Sequence, residues 1–145
     1  MNSRDRAEKL IHLIKLVTKT RSINAFNVYS RGEIPILIYL VHHESEQILP
    51  SDLGKACQIS NARVANILNS LEEKGFISRE IDLTDRRKIH VSITEAGKAR
   101  AQKEKEKTLN ALARILDEIG EEDTDEFIRL LGRFIEVGSA STGTE

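Results

Sequence analysis

A short basic run and a cluster of amide side chains are the groups in this sequence with the clearest binding chemistry. Arg86, Arg87 and Lys88 follow Asp85 within the polar, turn-prone stretch DLTDRRK. Guanidinium groups at the tip of a hairpin suit contacts to phosphate or insertion into a narrow minor groove. The alternative is a surface turn whose charges pair among themselves, because Asp85 lies beside Arg86. The two interpretations are compatible, since an acid that orients a neighbouring arginine also serves a DNA-reading surface.

The amide cluster lies in the segment from Ser60 to Gly75, which predicts one helix. Ser60 is a good N-cap residue, and Gly75 is a good C-terminal stop. Apolar residues at helical spacing give one stripe to be buried, made of Val64, Ile67, Leu68 and Leu71. The candidate base-contacting residues lie at the helix start and away from that stripe: Ser60, Asn61, Ala62, Arg63, Asn66, Asn69 and Ser70. Short and amide side chains suit a major groove, although an ordinary solvated helix face has a similar composition.

Two strands are predicted on either side of the basic run. Residues 76–81, FISREI, alternate imperfectly, whereas residues 88–94, KIHVSIT, alternate cleanly between apolar and polar side chains. Alternation with a period of two indicates half-buried strands. Between them, Asp82 and Asp85 can accept hydrogen bonds from the backbone of the loop. A helix followed by a hairpin with a basic tip is typical of a winged helix-turn-helix.

Several stretches of the chain resemble the MarR family of bacterial transcriptional regulators. The matching positions are Ser60, residues 68–79, residues 82–87 and residues 92–97. The junction between strand and helix in that family commonly reads Leu-Thr-x-x-Gly, and Thr94 and Gly97 keep it. The resemblance spans about residues 30–99.

The wing of the family commonly reads Asp-x-Arg-Asp-x-Arg, and this chain keeps most of that pattern. Asp82, Asp85 and Arg87 match it, whereas Thr84 stands where the first arginine is usual. The resemblance implies that Arg87 is the DNA contact at the wing tip and that Asp85 orients it. It also implies a homodimer on a pseudo-palindromic operator of double-stranded DNA. A small-molecule effector is implied where the dimerisation helices meet the DNA-reading part.

Many relatives in the family carry Arg or Lys on the outer face of the recognition helix. This chain has Asn66 and Asn69 there instead. An asparagine amide pairs with adenine, whereas arginine pairs with guanine. The substitution therefore predicts an operator read more through adenine than through guanine.

The predicted fold class is α+β and mostly α, a winged helix-turn-helix with N- and C-terminal helices that form a dimerisation layer. The predicted parts are residues 1–29, an N-terminal dimerisation helix and connection; 30–99, the winged helix DNA-binding domain; 100–138, the C-terminal dimerisation helices; and 139–145, a disordered tail. Residues 121–126 are predicted to break the two C-terminal helices apart. Apolar residues on the terminal helices predict the dimer interface: Leu10, Ile14, Val17, Leu112, Leu116, Phe127, Leu131 and Phe134.

Two shorter helices are predicted ahead of the recognition helix. Ser30 and Glu33 match a capping box, which marks a helix start. Pro50 begins the next helix, which is the first helix of the helix-turn-helix. Within the long helix after the wing, residues 98–107 are nearly all polar and are expected to cross solvent.

The remaining titratable residues give no catalytic or metal site. The four histidines, at positions 12, 42, 43 and 90, do not form a recognisable ligand set, so no metal and no cofactor is expected. No nucleophile with a base, phosphate loop or pair of catalytic carboxylates occurs, so an enzyme is the least favoured class. Candidate effector contacts are His12, Phe26 and Tyr29, and His12 also suits an interface histidine. Cys57 is expected to be a buried hydrophobe.

Composition allows these interpretations without requiring them. The chain has 145 residues, 39% of them hydrophobic and 31% charged, as in an ordinary soluble protein. It has no apolar run of 18 residues and no signal-peptide core, so a cytoplasmic location without membrane contact is expected. The net charge of −1 is unusual for a nucleic-acid binder. Basic side chains outnumber acidic ones in the first 100 residues, however, and the balance reverses afterwards, which would orient the molecule towards DNA.

The sequence thus favours a homodimeric, sequence-specific DNA-binding transcriptional regulator, more a repressor than an activator. Two alternatives stay open. One is a winged helix that binds proteins without binding specific DNA, which the near-neutral charge and the missing wing arginine favour. The other is a regulator that senses oxidants through Cys57. The intact pair of Asp85 and Arg87 favours DNA.

Overall fold

Seven helices and two strands follow one another in residues 1–141, the part of the chain that the computed structural model describes, apart from the side chains at positions 21, 22, 25, 28 and 30. The elements are α1 (Ser3–Val17), α2 (Arg21–Ser30), α3 (Glu33–His42), α4 (Pro50–Cys57), α5 (Asn61–Glu73), β1 (Ile77–Ile81), β2 (Ile89–Ile93), α6 (Glu95–Ile119) and α7 (Glu121–Ser141). This order confirms the mostly helical α+β class that the sequence predicts, with a two-stranded hairpin after α5. The chain divides into two compact units, Met1–Thr108 and Leu109–Glu145.

The core of the first unit forms where α3, α4 and α5 pack together. Helix α3 is apolar over most of its length and buries Ile34, Ile36, Leu37 and Leu40. Helix α5 buries the predicted stripe, with Val64, Leu68 and Leu71 each exposed by 1% or less. Burial of one such side chain stabilises the fold by about 1.5–3 kcal/mol. The stripe therefore fixes the rotation of α5 about its axis.

The two strands form an antiparallel hairpin that is joined to this core. Ile77 lies opposite Ile93, and Ile81 lies opposite Ile89. Val91, at the middle of β2, is buried, and its backbone N–H donates to the carbonyl of Ile48 at 2.8 Å. The base of the hairpin is thus held by the core, while its outer end extends into solvent.

The junction between β2 and α6 is unusually tight. The Thr94 hydroxyl donates to the Gly75 carbonyl at 2.7 Å and accepts from the Gly97 N–H at 3.1 Å, so it caps α6. A Cβ at position 97 would lie 2.1 Å from the Phe76 carbonyl oxygen. Only glycine allows the backbone of α6 to approach so closely.

Two predictions about the N-terminal half are wrong. The sequence predicts that residues 1–29 end in a connection, but α2 occupies residues 21–30. Tyr29 packs against the core, and tertiary packing outweighs weak helix propensity. The helix start predicted at Ser30 is wrong, because Ser30 is the last residue of α2. Helix α3 instead starts after Gly32, which has φ +75° and caps it without a side-chain hydrogen bond.

Two predictions about the C-terminal half also need correction. The acidic break over residues 121–126 is the first part of α7, where acidic side chains interact favourably with the positive end of the helix dipole. The chain turns only at Gly120, with φ +94°. Residues 139–141 of the expected tail continue α7, and the Ser141 hydroxyl donates to the Val137 carbonyl at 3.0 Å. Residues 142–145 lie outside the described residues.

The start of α6 is less solvated than its polar sequence predicts. Ala101, Glu104 and Thr108 are buried on one side of the helix. The Glu104 carboxylate is neutralised by Arg100, whose Nη2 lies 3.2 Å away. Most of residues 98–107 are exposed as expected, but Ala101 and Glu104 are buried, because a charged residue with a partner can be buried.

Helices α1 and α7 contain no buried residue within their own units. Apolar side chains of α1 are about half exposed, from 41% for Leu10 to 54% for Ile11. The same holds in the second unit for Phe127, Leu131 and Phe134 of α7. Several exposed apolar side chains on one helix are typical of an interaction surface. No helix in residues 1–141 is long and apolar enough to cross a lipid bilayer.

Candidate nucleic-acid interface

The exposed face of α5 results directly from the burial of its opposite side. The Ser60 hydroxyl accepts a hydrogen bond from the Arg63 N–H at 3.2 Å and caps the helix as predicted. With the apolar stripe buried, several of the predicted base-contacting residues lie exposed: Ser60, Asn61, Ala62, Arg63, Asn66 and Asn69. Among them are hydrogen-bonding groups for base edges and small residues for close approach.

The turn between α4 and α5 presents this face as a helix-turn-helix does. Gln58 ends α4 in the left-handed conformation, with φ +55°. Gly54 is buried where the helices cross, and a Cβ there would lie 3.2 Å from the carbonyl oxygen of Ile59. The close crossing lets α4 support α5 from behind.

Ser70 is placed differently from the other predicted contacts. Its hydroxyl donates to Glu33 Oε1 at 2.7 Å, and Lys74 Nζ donates to both carboxylate oxygens of Glu33 at 2.8 and 3.0 Å. Partial burial acts to raise the pKa of Glu33, but the hydrogen bonds from Lys74 and Ser70 outweigh it and hold that pKa below its ordinary value. Ser70 therefore ties α5 to the start of α3.

Asn69 is held by a residue of the hairpin. Arg79 of β1 donates from Nη2 to Asn69 Oδ1 at 2.9 Å and from Nε to Glu72 Oε2 at 2.9 Å. The hydrogen bond from Arg79 is the main reason that the pKa of Glu72 is lowered. The sequence pattern had not singled out this contact, because it joins residues ten apart in different elements.

The loop at the outer end of the hairpin, residues 82–88, is organised by two aspartates, as predicted. Asp82 Oδ1 accepts from the Thr84 N–H at 2.8 Å, the Thr84 hydroxyl at 2.7 Å and the Asp85 N–H at 2.9 Å. Asp85 Oδ1 accepts from the backbone N–H and the Nε of Arg87 at 3.1 and 3.2 Å. The Arg87 side chain is nevertheless 91% exposed. Asp85 thus contacts Arg87 and leaves most of its guanidinium accessible.

Asp82 also binds His90, a contact that the sequence did not predict. His90 Nε2 lies 2.5 Å from Asp82 Oδ2, and the Nδ1 of the same ring is buried without a hydrogen-bond partner in the described part of the chain. The pKa of Asp82 is held well below its ordinary value, first by the Thr84 hydroxyl and then by His90 and the loop N–H groups. A depressed pKa means that the stabilising charge is fully present above pH about 4 and is lost only as the pH falls further.

A cavity of about 550 Å³ lies beside α3 within the first unit. Its lining is Phe26, Tyr29, Pro35, Ile38, Tyr39, His42, His43, Ala56, Cys57 and Gln58. Tyr39 and His43 stack with ring centroids 3.9 Å apart. The structure brings two of the three predicted effector contacts, Phe26 and Tyr29, to this cavity. His12 lies exposed on α1 and is not part of the lining, because α1 directs none of its side chains into the core.

Cys57 packs against the core but is only half-buried, because it also lines this cavity. Burial raises the pKa of the Cys57 thiol, which lowers the fraction of reactive thiolate. Among the described residues, no three His, Cys, Asp or Glu side chains lie close enough together to hold a metal ion.

Comparisons with known proteins agree with this architecture. Residues 33–115 match the family model described as a winged helix DNA-binding domain. The HTH-type transcriptional repressor YetL of Bacillus subtilis is 28% identical over 107 residues, which is 74% of this chain and 64% of YetL. The chain thus spans just under two thirds of the length of this relative. These similarities are to a transcription regulator, not to an enzyme.

Solved structures share the same fold. YusO of Bacillus subtilis superposes with a TM-score of 0.73 at 18% identity, covering 92% of this chain and 94% of YusO. A mutant of MepR from S. aureus, bound to an oligodeoxyribonucleotide, gives a TM-score of 0.61 at 21% identity and covers 90% of this chain and 96% of MepR. The winged helix fold predicted from the sequence is thereby confirmed.

The hydrogen bonds of Asp82 predict that its loss loosens the loop at residues 82–88. In Asp82→Ala, the Thr84 and Asp85 N–H groups lose their acceptor, and we expect their amide hydrogens to exchange roughly tenfold faster. Hydrogen exchange followed by NMR at pH 7 measures this. Thr84→Val is the control, because it removes the hydroxyl and keeps both backbone hydrogen bonds. Unchanged exchange in Asp82→Ala would show that the loop is held by other contacts.

Proposed function

Because this chain belongs to the winged helix DNA-binding domain family and resembles the MarR regulators, we propose that it is a homodimeric, sequence-specific repressor of transcription. The observation that carries the proposal is the pairing of an exposed, polar α5 face with an ordered basic loop on the adjacent hairpin. Both elements are built from residues of the first unit. In this proposal the protein works in the cytoplasm, where bacterial DNA lies.

The recognition helix α5 lies in the major groove in this proposal. Asn61, Arg63, Asn66 and Asn69 contact base edges, and Ala62 allows close approach. Ser60 caps the helix and, from its exposed position at the helix start, lies near the DNA phosphates. Ser70 is left out of the proposed contacts, because its hydroxyl already donates to Glu33.

The loop at residues 82–88 contacts the DNA backbone or the flanking minor groove. Arg86, Arg87 and Lys88 are exposed and provide the positive charge. Asp85 restricts the side chain of Arg87, so less rotamer entropy is lost when that arginine binds. Three basic residues per subunit give a strong dependence of affinity on salt, because each phosphate contact releases counterions.

Two copies of the chain associate through the terminal helices. The exposed apolar residues of α1 include Leu10, Ile14 and Val17, and those of α7 include Phe127, Leu131 and Phe134. Leu112 and Leu116 of α6 are half-buried in the second unit. A two-fold axis would place two recognition helices on successive turns of a pseudo-palindromic operator.

A small-molecule effector occupies the cavity beside α3. The stacked rings of Tyr39 and His43, together with Phe26 and Tyr29, favour a flat aromatic ligand. Such a ligand regulates DNA binding if it prefers one arrangement of α3 over another. This proposal extends to the regulation of the protein and is tested separately from DNA binding.

Removing Arg87 tests the DNA contact. We expect Arg87→Ala to weaken specific binding to DNA from upstream of its own gene by about 1–3 kcal/mol and to reduce the slope of log K against log salt by about 1 per subunit. Fluorescence anisotropy over a salt series measures both, with a scrambled duplex for comparison. Arg114→Ala on α6 is the matched control, because it removes the same charge from an exposed position that is not among the proposed DNA contacts. Equal affinities for both duplexes, in wild type and variant, would contradict the proposal.

A charge on the apolar surface of α7 tests the dimer. Phe134 is 60% exposed in the single chain, so Phe134→Asp should leave the chain folded and disrupt association. Light scattering should give a mass near 16.3 kDa for the variant and twice that for the wild type. Glu136→Lys, on the polar side of the same helix, should remain dimeric. A wild-type protein that scatters as a monomer at micromolar concentration would exclude the proposed dimer.

Filling the cavity tests the effector site. Compounds that bind there should raise the melting temperature. At a ligand concentration of about 100 Kd, the free energy of unfolding increases by about 2.7 kcal/mol. Ala56→Trp should abolish that gain for flat aromatic compounds, because the indole occupies part of the cavity. Lys55→Trp, at the next residue and outside the lining, is the control. Equal stabilisation of Ala56→Trp and wild type would place the ligand elsewhere.

A further inference from the structure

Arg79 determines which atoms Asn69 can offer to DNA. Arg79 Nη2 lies 2.9 Å from Asn69 Oδ1. An arginine has five N–H donors and no acceptor, so the amide atom that faces it must be the oxygen. The Asn69 NH₂ group is consequently the part of the amide that remains available. The orientation of this amide is therefore set by Arg79 itself.

Glu72 holds Arg79 in the position that this contact needs. Its two carboxylate oxygens accept from Nε and Nη2 of Arg79 at 2.9 and 3.3 Å. The pair is bidentate, which is the most directional form of an ion pair. The Arg79 side chain is 28% exposed, so it lies against the protein rather than extending into solvent. Glu72 and Asn69 lie three residues apart on α5, so a single guanidinium bridges them.

We propose that Arg79 is a positioning residue that makes Asn69 a hydrogen-bond donor toward the operator. The inference rests on the proposed function, in which α5 lies in the major groove. A free asparagine pairs with adenine by accepting from N6 and donating to N7. The Asn69 oxygen already accepts from Arg79 and keeps one of its two lone pairs, whereas both N–H groups of the amide are available, so the donating half of that pattern dominates.

The bases that suit a donor can be named. Guanine offers N7 and O6, and thymine offers O4, all of them acceptors in the major groove. Cytosine offers only its N4 amino group there, so it is rejected on the contacted strand. Adenine offers N7 as an acceptor as well, but beside it lies the N6 donor, for which a donating amide has no matching group. Asn69 thus favours guanine or thymine over adenine and excludes cytosine.

Asn66 provides the internal comparison. It is exposed on the same helix, and no hydrogen bond to its side chain occurs in the described part of the chain. Its amide can rotate and use both halves, so the adenine preference expected from the sequence belongs to Asn66. The two asparagines therefore read different bases although their side chains are identical.

The experiment is a selection of binding sites from a random DNA library, sequenced for wild type and variants. Asn69→Ala identifies the base pair that Asn69 contacts, because the base preference of the wild type is lost at that position. Asn69→Asp then keeps an oxygen for Arg79 and replaces the outward NH₂ with a second oxygen. At that position we expect the preferred base to change from guanine or thymine to cytosine or adenine, with about a tenfold change in relative affinity.

Arg79→Ala tests the positioning role. The freed amide can rotate, so we expect adenine to become the preferred base at the same position, while preferences at the other positions are kept. Arg79→Lys keeps a positively charged donor group without an acceptor, so the amide that faces it still presents its oxygen, and the wild-type preference should largely be kept. Glu80→Ala, at the next and exposed residue of β1, controls for changes to the strand. Circular dichroism verifies that each variant is folded.

The outcomes separate this inference from the proposed function. If wild type selects a defined sequence but Asn69→Asp and Arg79→Ala keep its base profile, the inference is overturned and specific binding stands. The inference is also overturned if Asn66→Ala changes one position and Asn69→Ala changes none. If wild type selects no sequence at all, the proposed function fails and the inference fails with it.

Discussion

The burial of one side of α5 is the constraint on which the other features of the first unit depend. Val64, Leu68 and Leu71 are almost completely removed from solvent against α3 and α4. Each contributes roughly 1.5–3 kcal/mol, a large fraction of the stability of a small domain. Rotation of α5 about its axis would expose these side chains to water. Their burial therefore fixes the direction in which the polar side of the helix faces.

Polar contacts then connect α5 to its neighbours without competing with that burial. Glu33 accepts hydrogen bonds near the C-terminal end of the helix, and Arg79 bridges two residues of its outer surface. These groups are partly exposed, so each contact adds little to the overall stability. Their effect is to restrict which orientation the side chains adopt. Stability and specificity thus come from different residues on the same helix.

The sequence predicted most of the first unit because the relevant signals were local. The spacing of apolar residues identified α5, and alternation identified β2, since both follow from the geometry of a single element. Where prediction failed, the decisive partner was distant in sequence. Tyr29 of α2 packs against the core, and Arg100 neutralises the buried Glu104. The contact of Arg79 with Asn69, and that of His90 with Asp82, also required the hairpin to be folded against its neighbours. The identity of the bases and of the effector stays a proposal, because no contact within one chain determines them.

Gly97 allows the first turn of α6 to be fixed against the segment that leaves α5. Its backbone lies against the Phe76 carbonyl, and the preceding Thr94 is hydrogen-bonded to Gly75, the residue that ends the recognition helix segment. No flexible joint separates the first turn of α6 from the chain that leaves α5. A change in the tilt of that turn would therefore move the C-terminal end of α5 with it. A side chain at position 97 would push the first turn of α6 away from Phe76. The two segments could then move independently, which the close contact prevents.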